Sequence, residues 1–326
     1  NAARFAISNL GDFEQGLAAL GDAEKQALRD GAVTELEDCF IEGQLTQAIV
    51  DVTDCLERYR FNEAAQAMYR FVWDEFCDWY LEAVKPRLYE GKGGERSKLR
   101  AQATLIRVLD GVLKLLHPYI PFITEEIWQN LRPKLAALRE DTPELSLAIA
   151  GWPKASQGRV YEDAQKRFGF LKEATRAFRN IRAEHSMDPK LPVKAVLRVA
   201  DSATLSLLGE AERETIRKLA NLDPLKVAVG AEKPKAAATV VLGGGNEAYI
   251  DLEGLIDFKM ELLRLEANEA KLMEGVTKLK RKLDNLDYID RAPKDVVQRD
   301  RDKLSEVVTE LERVQKHIAE VKALAG

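Results

Sequence analysis

At 326 residues the chain is longer than one hydrophobic core usually holds, so two or three domains are expected. Charged residues make up 32% and hydrophobic residues 46%, the composition of an ordinary soluble folded protein, slightly enriched in charge. A net charge of −5 excludes a protein that is basic all over, so any surface for nucleic acid has to be local.

In chain order, residues 1–20 read as the end of a helix and 21–35 as a loop with Gly-Asp turns. From Asp38 onward, Phe40, Leu45, Ile49, Val52, Leu56 and Tyr59 recur at helical spacing and give an amphipathic helix. The next, Phe61 to Pro86, carries large apolar residues at 61, 65, 68, 72, 76 and 79. A second set, Tyr69, Trp73, Phe76, Cys77, Tyr80 and Val84, fills the neighbouring face. A helix apolar over so wide an arc is expected at the centre of a bundle, with Pro86 as its stop. After the break at 91–95, Leu99, Ala103, Ile106, Leu109, Leu113 and Leu116 mark another helix, and a further one starts after Pro121 and runs to about Leu131. Residues 132–160, with Pro133, Pro143, Gly151, Pro153 and Gly158, read as a connector.

Beyond it the pattern changes. Phe168, Leu171, Phe178 and Ile181 predict a helix ending near Asp188-Pro189. Val193–Val199 is strand-like, 203–221 helical, and 225–229, 237–242 and 247–252 are short strand-like runs. From Leu255 a 4-3 heptad sets in through Phe258, Leu262, Leu265, Leu272, Val276, Leu279, Leu283 and Leu286, with Glu269 in a core slot. It resumes after Pro293 through Val297, Leu304, Val307, Leu311, Val314, Ile318, Val321 and Ala325, with Asp300 as its break. Two matched arms around a proline-containing turn predict an antiparallel coiled-coil hairpin roughly 45 Å long that folds on itself. The fold expected is mainly α: a helical bundle over 1–150, a small α+β module over 151–252 and the coiled-coil hairpin over 253–326, as a monomer.

No catalytic or metal site emerges. Gly243-Gly244-Gly245-Asn246 lacks the lysine of a phosphate loop and lies between strands, where a hairpin turn accounts for it. His117, His185 and His317 are scattered, and Cys39, Cys55 and Cys77 never form a Cys-x-x-Cys pair. They read as core thiols of a reducing, cytoplasmic compartment. Glu125-Glu126 suits the acidic first turn of a helix better than paired catalysis. Tyr69, Trp73, Trp79 and Tyr80 would stack bases only if exposed, and core packing is the default. No apolar run is long enough to span a membrane, and no signal peptide precedes the first helix. The chain opens at Asn1 inside a helical pattern, as a fragment would. One polar feature stands out. The tip half of the hairpin carries Lys278, Lys280, Arg281, Lys282, Arg291, Lys294, Arg299, Arg301 and Lys303, whereas the root is acidic. A solvated heptad face and a phosphate-seeking arm both fit this pattern.

Several segments together resemble one family. Asn1-Ala2-Ala3-Arg4-Phe5, the run Trp73 to Pro86 and His117-Pro118-Tyr119-Ile120-Pro121-Phe122-Ile123-Thr124-Glu125-Glu126-Ile127-Trp128 look like the anticodon-binding helical domain of class I valine/isoleucine/leucine tRNA synthetases. Arg179-Asn180-Ile181-Arg182-Ala183-Glu184, and the hairpin with Ala292-Pro293-Lys294-Asp295-Val296-Val297, are similar to the valyl members in particular. The resemblance implies the C-terminal part of an enzyme that attaches valine to its tRNA with ATP and Mg2+. The His-Ile-Gly-His-like and Lys-Met-Ser-Lys-Ser-like signatures of the ATP site are absent from this chain, so it is expected to hold no cofactor and to bind tRNA-Val rather than catalyse. By the same resemblance, Arg4, Tyr80, Leu81, Glu82 and Lys85 gather as an anticodon site. Leu81 offers an apolar patch, Glu82 an acceptor for base amino groups, and Lys85 and Arg4 charge for loop phosphates. The hairpin leans on the tRNA elbow through Lys278, Lys280, Arg281, Lys282, Arg299 and Arg301. The alternatives are a helical scaffold that recruits proteins through its coiled coil, and a stand-alone tRNA-binding factor.

Overall fold

The computed structural model describes residues 1–89, 91–156, 160–253, 258–285, 288 and 293–325. Gly158, Leu255, Leu286, Arg291 and Ala292 lie outside them, as do the side chains of Phe258, His317, Lys294, Asp295 and Ala325. The architecture is mainly α with one four-stranded sheet. The chain divides into two compact units, residues 1–179 with 201–222, and residues 180–200 with 223–326.

The first unit is a helical bundle. Residues 1–29, expected as a helix end and loop, form three short helices: α1 (Ala2–Ser8), α2 (Phe13–Ala18) and α3 (Asp22–Arg29). Leu10, Phe13, Leu17 and Leu28 are buried, so packing makes helices of segments with little length of their own. Helix α4 (Leu36–Glu57) packs on α7 (Gly94–Leu116). Gly111 permits that approach, since a Cβ there would stand 3.0 Å from Leu45. Helix α7 is enclosed on all sides from Ala101 to Leu113 and takes the central place expected of residues 61–86. Helix α8 (Pro121–Arg139) starts on a proline at its first turn and runs on through Pro133, past the end expected at Leu131, because Leu131, Leu135 and Leu138 are buried. Helices α9 (Glu162–Glu184), α10 (Ser202–Ser206) and α11 (Glu210–Ala220) follow. Phe168 of α9 stacks on Phe40 of α4, with ring centroids 4.0 Å apart.

The long helical stretch departs most from expectation. It begins as α5 (Phe61–Arg70), becomes a π-helix over Phe71–Tyr80, and continues as α6 (Leu81–Tyr89). A π-helix bonds residue i to i+5 and so changes which residues share a face. Phe71, Phe76 and Leu81 step by five and are all buried, whereas Tyr69 and Trp73, placed in the core by a period of 3.6, are exposed. The two exposed rings stack on each other, with planes 9° apart. Phe61 is exposed as well. Pro86 sits inside α6 and does not stop it. A proline within a helix costs about 3 kcal/mol, but Val84, Arg87 and Leu88 are buried around it and carry the helix on to Tyr89.

The second unit holds the sheet and the hairpin. Its strands are β1 (Val193–Val199), β2 (Leu222–Val229), β3 (Ala237–Val241) and β4 (Glu247–Asp251), in the order β2-β1-β4-β3. Alternation buries Val193, Ala195, Leu197 and Val199 of β1, which pairs antiparallel with β4. The three glycines join β3 to its antiparallel partner β4 in a tight turn. Gly244 and Gly245 have φ of 71° and 79°, and the Asn246 side chain accepts from Ala200 N and donates to Gly243 O. The coiled coil pairs α12 (Phe258–Leu283) with α13 (Lys294–Ala325). Lys322 meets Glu266, Gln315 meets Glu269 and Lys282 meets Asp300, so the partners run in opposite directions along the two helices. Leu265, Val314, Ile318 and Val321 form the buried seam, with Leu262 and Leu272 packed against it.

Candidate nucleic-acid interface

In the bundle, the N-terminal helix brings Phe5 to the end of α6. Asn9 donates to the Tyr89 hydroxyl at 2.9 Å and to Phe5 O at 2.8 Å, while the Phe5 and Tyr89 rings meet edge to face. Lys85 lies over the Phe5 ring, 5.9 Å from its centroid, and pairs with Glu82 at 2.5 Å. Both side chains are about 40% accessible, so the pair stays open to a ligand. Arg4 and Tyr89 are exposed. An aromatic edge, a carboxylate and a cation thus share one surface. This is the equipment for holding a splayed base by its face and edge and a phosphate by charge.

Two members of the expected anticodon set are not on that surface. Leu81 is 6% exposed, the third residue of the π-helical stripe. Tyr80 is fully buried and its hydroxyl donates to Asp38 at 2.9 Å. It belongs to an internal polar cluster in which Arg87 contacts Asp38 at 2.8 Å and Glu37 at 3.0 Å and donates to Ser97. Burial pushes the Asp38 carboxyl up to about 7 against the pull of Arg87, with Glu37 and Glu35 adding to the rise. The Tyr80 hydroxyl is driven well above its ordinary value, first by burial and then by Asp38. Both residues therefore position the helix that carries Glu82 and Lys85. Phe5 stood in the Asn1–Phe5 motif without a role, and Tyr89 lies beyond the proline read as a helix stop.

On the hairpin, Lys278, Lys280, Arg281, Lys282, Arg299 and Arg301 are all exposed. Lys278 pairs with Glu274 one turn back. Lys282 bridges to Asp300 at 2.7 Å and covers the Tyr288 ring at 4.7 Å, and the Tyr288 hydroxyl donates to Asp300. The heptad break at Asp300 is thus a satisfied polar layer, and hydrogen bonds from Lys282 and Tyr288 hold its carboxyl below the usual range. Glu269, the other break, accepts from Gln315 at 2.9 Å.

The remaining conspicuous groups are structural. His117 Nδ1 hydrogen-bonds the Thr124 hydroxyl, and Glu125 accepts from Ser146 and from Leu147 N at the turn after α8. The three thiols are unpaired, with Cys55 buried and Cys39 and Cys77 partly so. Among the described residues no cluster of His, Cys, Asp or Glu could hold a metal ion, and no helix is long and apolar enough to cross a membrane.

Residues 38–197 match the anticodon-binding domain of tRNA ligases, and residues 257–322 match the tRNA-binding arm of valyl-tRNA synthetases. The chain belongs to the valyl-tRNA synthetase family. It is 35% identical to a valine–tRNA ligase of Geobacter sulfurreducens over 100% of this chain and 34% of that protein. With the corresponding ligase of Thermotoga maritima it shares 37% identity over 94% of this chain and 31% of the relative. For that of Symbiobacterium thermophilum the values are 33%, 100% and 36%. The chain thus spans about a third of the length of the curated relatives it matches. The third that it represents is the C-terminal part, with the anticodon-binding and arm domains rather than the catalytic ones.

Proposed function

We propose that this chain serves valine–tRNA ligation by holding tRNA-Val, with the bundle reading the anticodon and the hairpin gripping the backbone at the elbow. The observation that carries the reading is the open Glu82–Lys85 pair, inside the segment that matches an anticodon-binding domain, with the Phe5 ring under Lys85 and the Tyr89 ring against Phe5. Glu82 is the acceptor for base amino groups, Phe5 and Tyr89 supply ring edges, and Arg4 and Lys85 neutralise loop phosphates. The parent enzyme would supply ATP, Mg2+ and the reacting centre, and the complex forms with the chain as a monomer in the cytoplasm.

Binding of the chain to tRNA-Val and to a transcript with an altered anticodon, each at two salt concentrations, tests this. The wild-type chain should prefer the cognate anticodon. Glu82→Gln should shrink that preference on the order of tenfold, since a hydrogen bond to a charged group contributes about 1.5–3 kcal/mol, and lower overall affinity less. Equal losses on both transcripts would make Glu82 structural. Indifference of the wild-type chain to any tRNA would favour the protein-recruiting scaffold.

A further inference from the structure

The motif beginning at Arg179 has no part in either surface described so far. Around it the structure places three cations over one indole. Lys172, Arg176 and Arg179, at helical spacing on α9, lie 5.7, 5.3 and 5.6 Å from the Trp79 ring centroid. Trp79 is 3% exposed, at the end of the π-helical segment. Lys172 is spoken for: it pairs with Glu75 and also covers Phe40. The two arginines differ. Both are exposed, and among the described residues neither has a carboxylate partner. Arg179 Nε donates to Leu219 O at 3.0 Å, which fixes its fork without neutralising it. Elsewhere in the bundle the rule is pairing: Arg60, Arg100, Arg107 and Arg139 each hold a carboxylate.

An arginine set over an aromatic ring keeps its full charge, and its planar fork retains N–H donors for an anion. It is also pre-ordered, so less side-chain entropy is lost on binding. Two such forks one helical turn apart match successive phosphates better than a single isolated anion. Trp79 precedes Glu82 by three residues in one continuous helical stretch, so the indole that carries the arginines and the Glu82–Lys85 pair belong to neighbouring turns of the same stretch.

We infer that Arg176 and Arg179, held over Trp79, form a backbone-phosphate clamp for RNA flanking the Glu82–Lys85 surface. The clamp rests on the tRNA-binding reading proposed above and carries no base identity, since phosphate contacts position and base contacts specify.

The test uses the full chain with tRNA-Val and the anticodon-altered transcript, following affinity against salt. Replacing both residues, Arg176→Gln with Arg179→Gln, should reduce the log-log salt slope by roughly 1.4 to 1.8, at 0.7 to 0.9 per phosphate. It should weaken both transcripts by the same factor. An unchanged slope overturns the clamp, and so does a loss confined to the cognate transcript. If the glutamine pair fails to fold, Arg176→Lys with Arg179→Lys decides: an intact slope with binding at least several-fold weaker supports the stacked forks, and wild-type affinity overturns them. A wild-type chain that ignores tRNA would remove the underlying reading instead, a result distinct from binding that the glutamine pair leaves untouched.

Discussion

At the scale of single residues, the bundle buries charge that it then has to satisfy. Asp38 is completely enclosed, faces Arg87 and Tyr80, and has Glu35 and Glu37 nearby. For Glu35, burial raises the carboxyl, but the Arg100 hydrogen bonds and Arg87 outweigh it and hold the group below its usual range. Asp38 goes the other way, up to about 7. Its folded value exceeds its unfolded one, so the fold binds more protons than the unfolded chain between about pH 4 and pH 7, and this residue's contribution to stability is lost as pH rises through that window. Asp38→Asn keeps an acceptor for Tyr80 and removes the titration. Thermal unfolding of the two proteins from pH 4.5 to 7.5 should show wild-type stability falling relative to the variant as pH rises. Parallel curves would mean that Asp38 stays ionised throughout.

At the scale of elements, the hairpin separates what holds it together from what it offers. Leu265, Val314, Ile318 and Val321 close the seam, while Lys278, Lys280, Arg281, Lys282, Arg299 and Arg301 are exposed. Substituting Lys278, Lys280, Arg281 and Lys282 together by alanine changes no seam residue. Helix content by circular dichroism should therefore persist. If the arm grips RNA backbone, the salt slope of tRNA binding should fall by about 3 for four phosphates released, with cognate and altered anticodons weakened alike. Lys282 gives up its bridge to Asp300 in this variant, but solvent screens an ion pair at the surface, so its loss leaves the seam intact. Unaltered affinity and slope would leave the hairpin as a scaffold.

At the scale of the whole molecule, net charge is −5, and among the described residues accessible cations form separate islands that include Lys85, the Arg176–Arg179 pair and the hairpin tip. A ligand that must touch several islands binds with steep salt dependence and little non-specific affinity. Neither ATP-site signature occurs in the sequence. Purified chain should accordingly give no valine-dependent pyrophosphate exchange above background, and a measurable rate would place activation chemistry inside this third of the parent protein.

Sequence alone determined the features that rest on local periodicity and composition. The heptad with its proline turn dictated an antiparallel hairpin, because inward apolar residues at 4-3 spacing have only each other to pack against. Val193–Val199 was legible because alternation in a half-buried strand is local. Tertiary structure decided the rest. Whether a helix turns with a period of 3.6 or bonds to i+5 depends on the walls it packs against, so Tyr69 and Trp73 went outward while Leu81 went in. Pro86 ends a helix in isolation, yet buried neighbours carried this one on to Tyr89 and completed the surface with Phe5. The Trp79 stack joins residues nearly a hundred positions apart, on two helices whose approach no local pattern encodes.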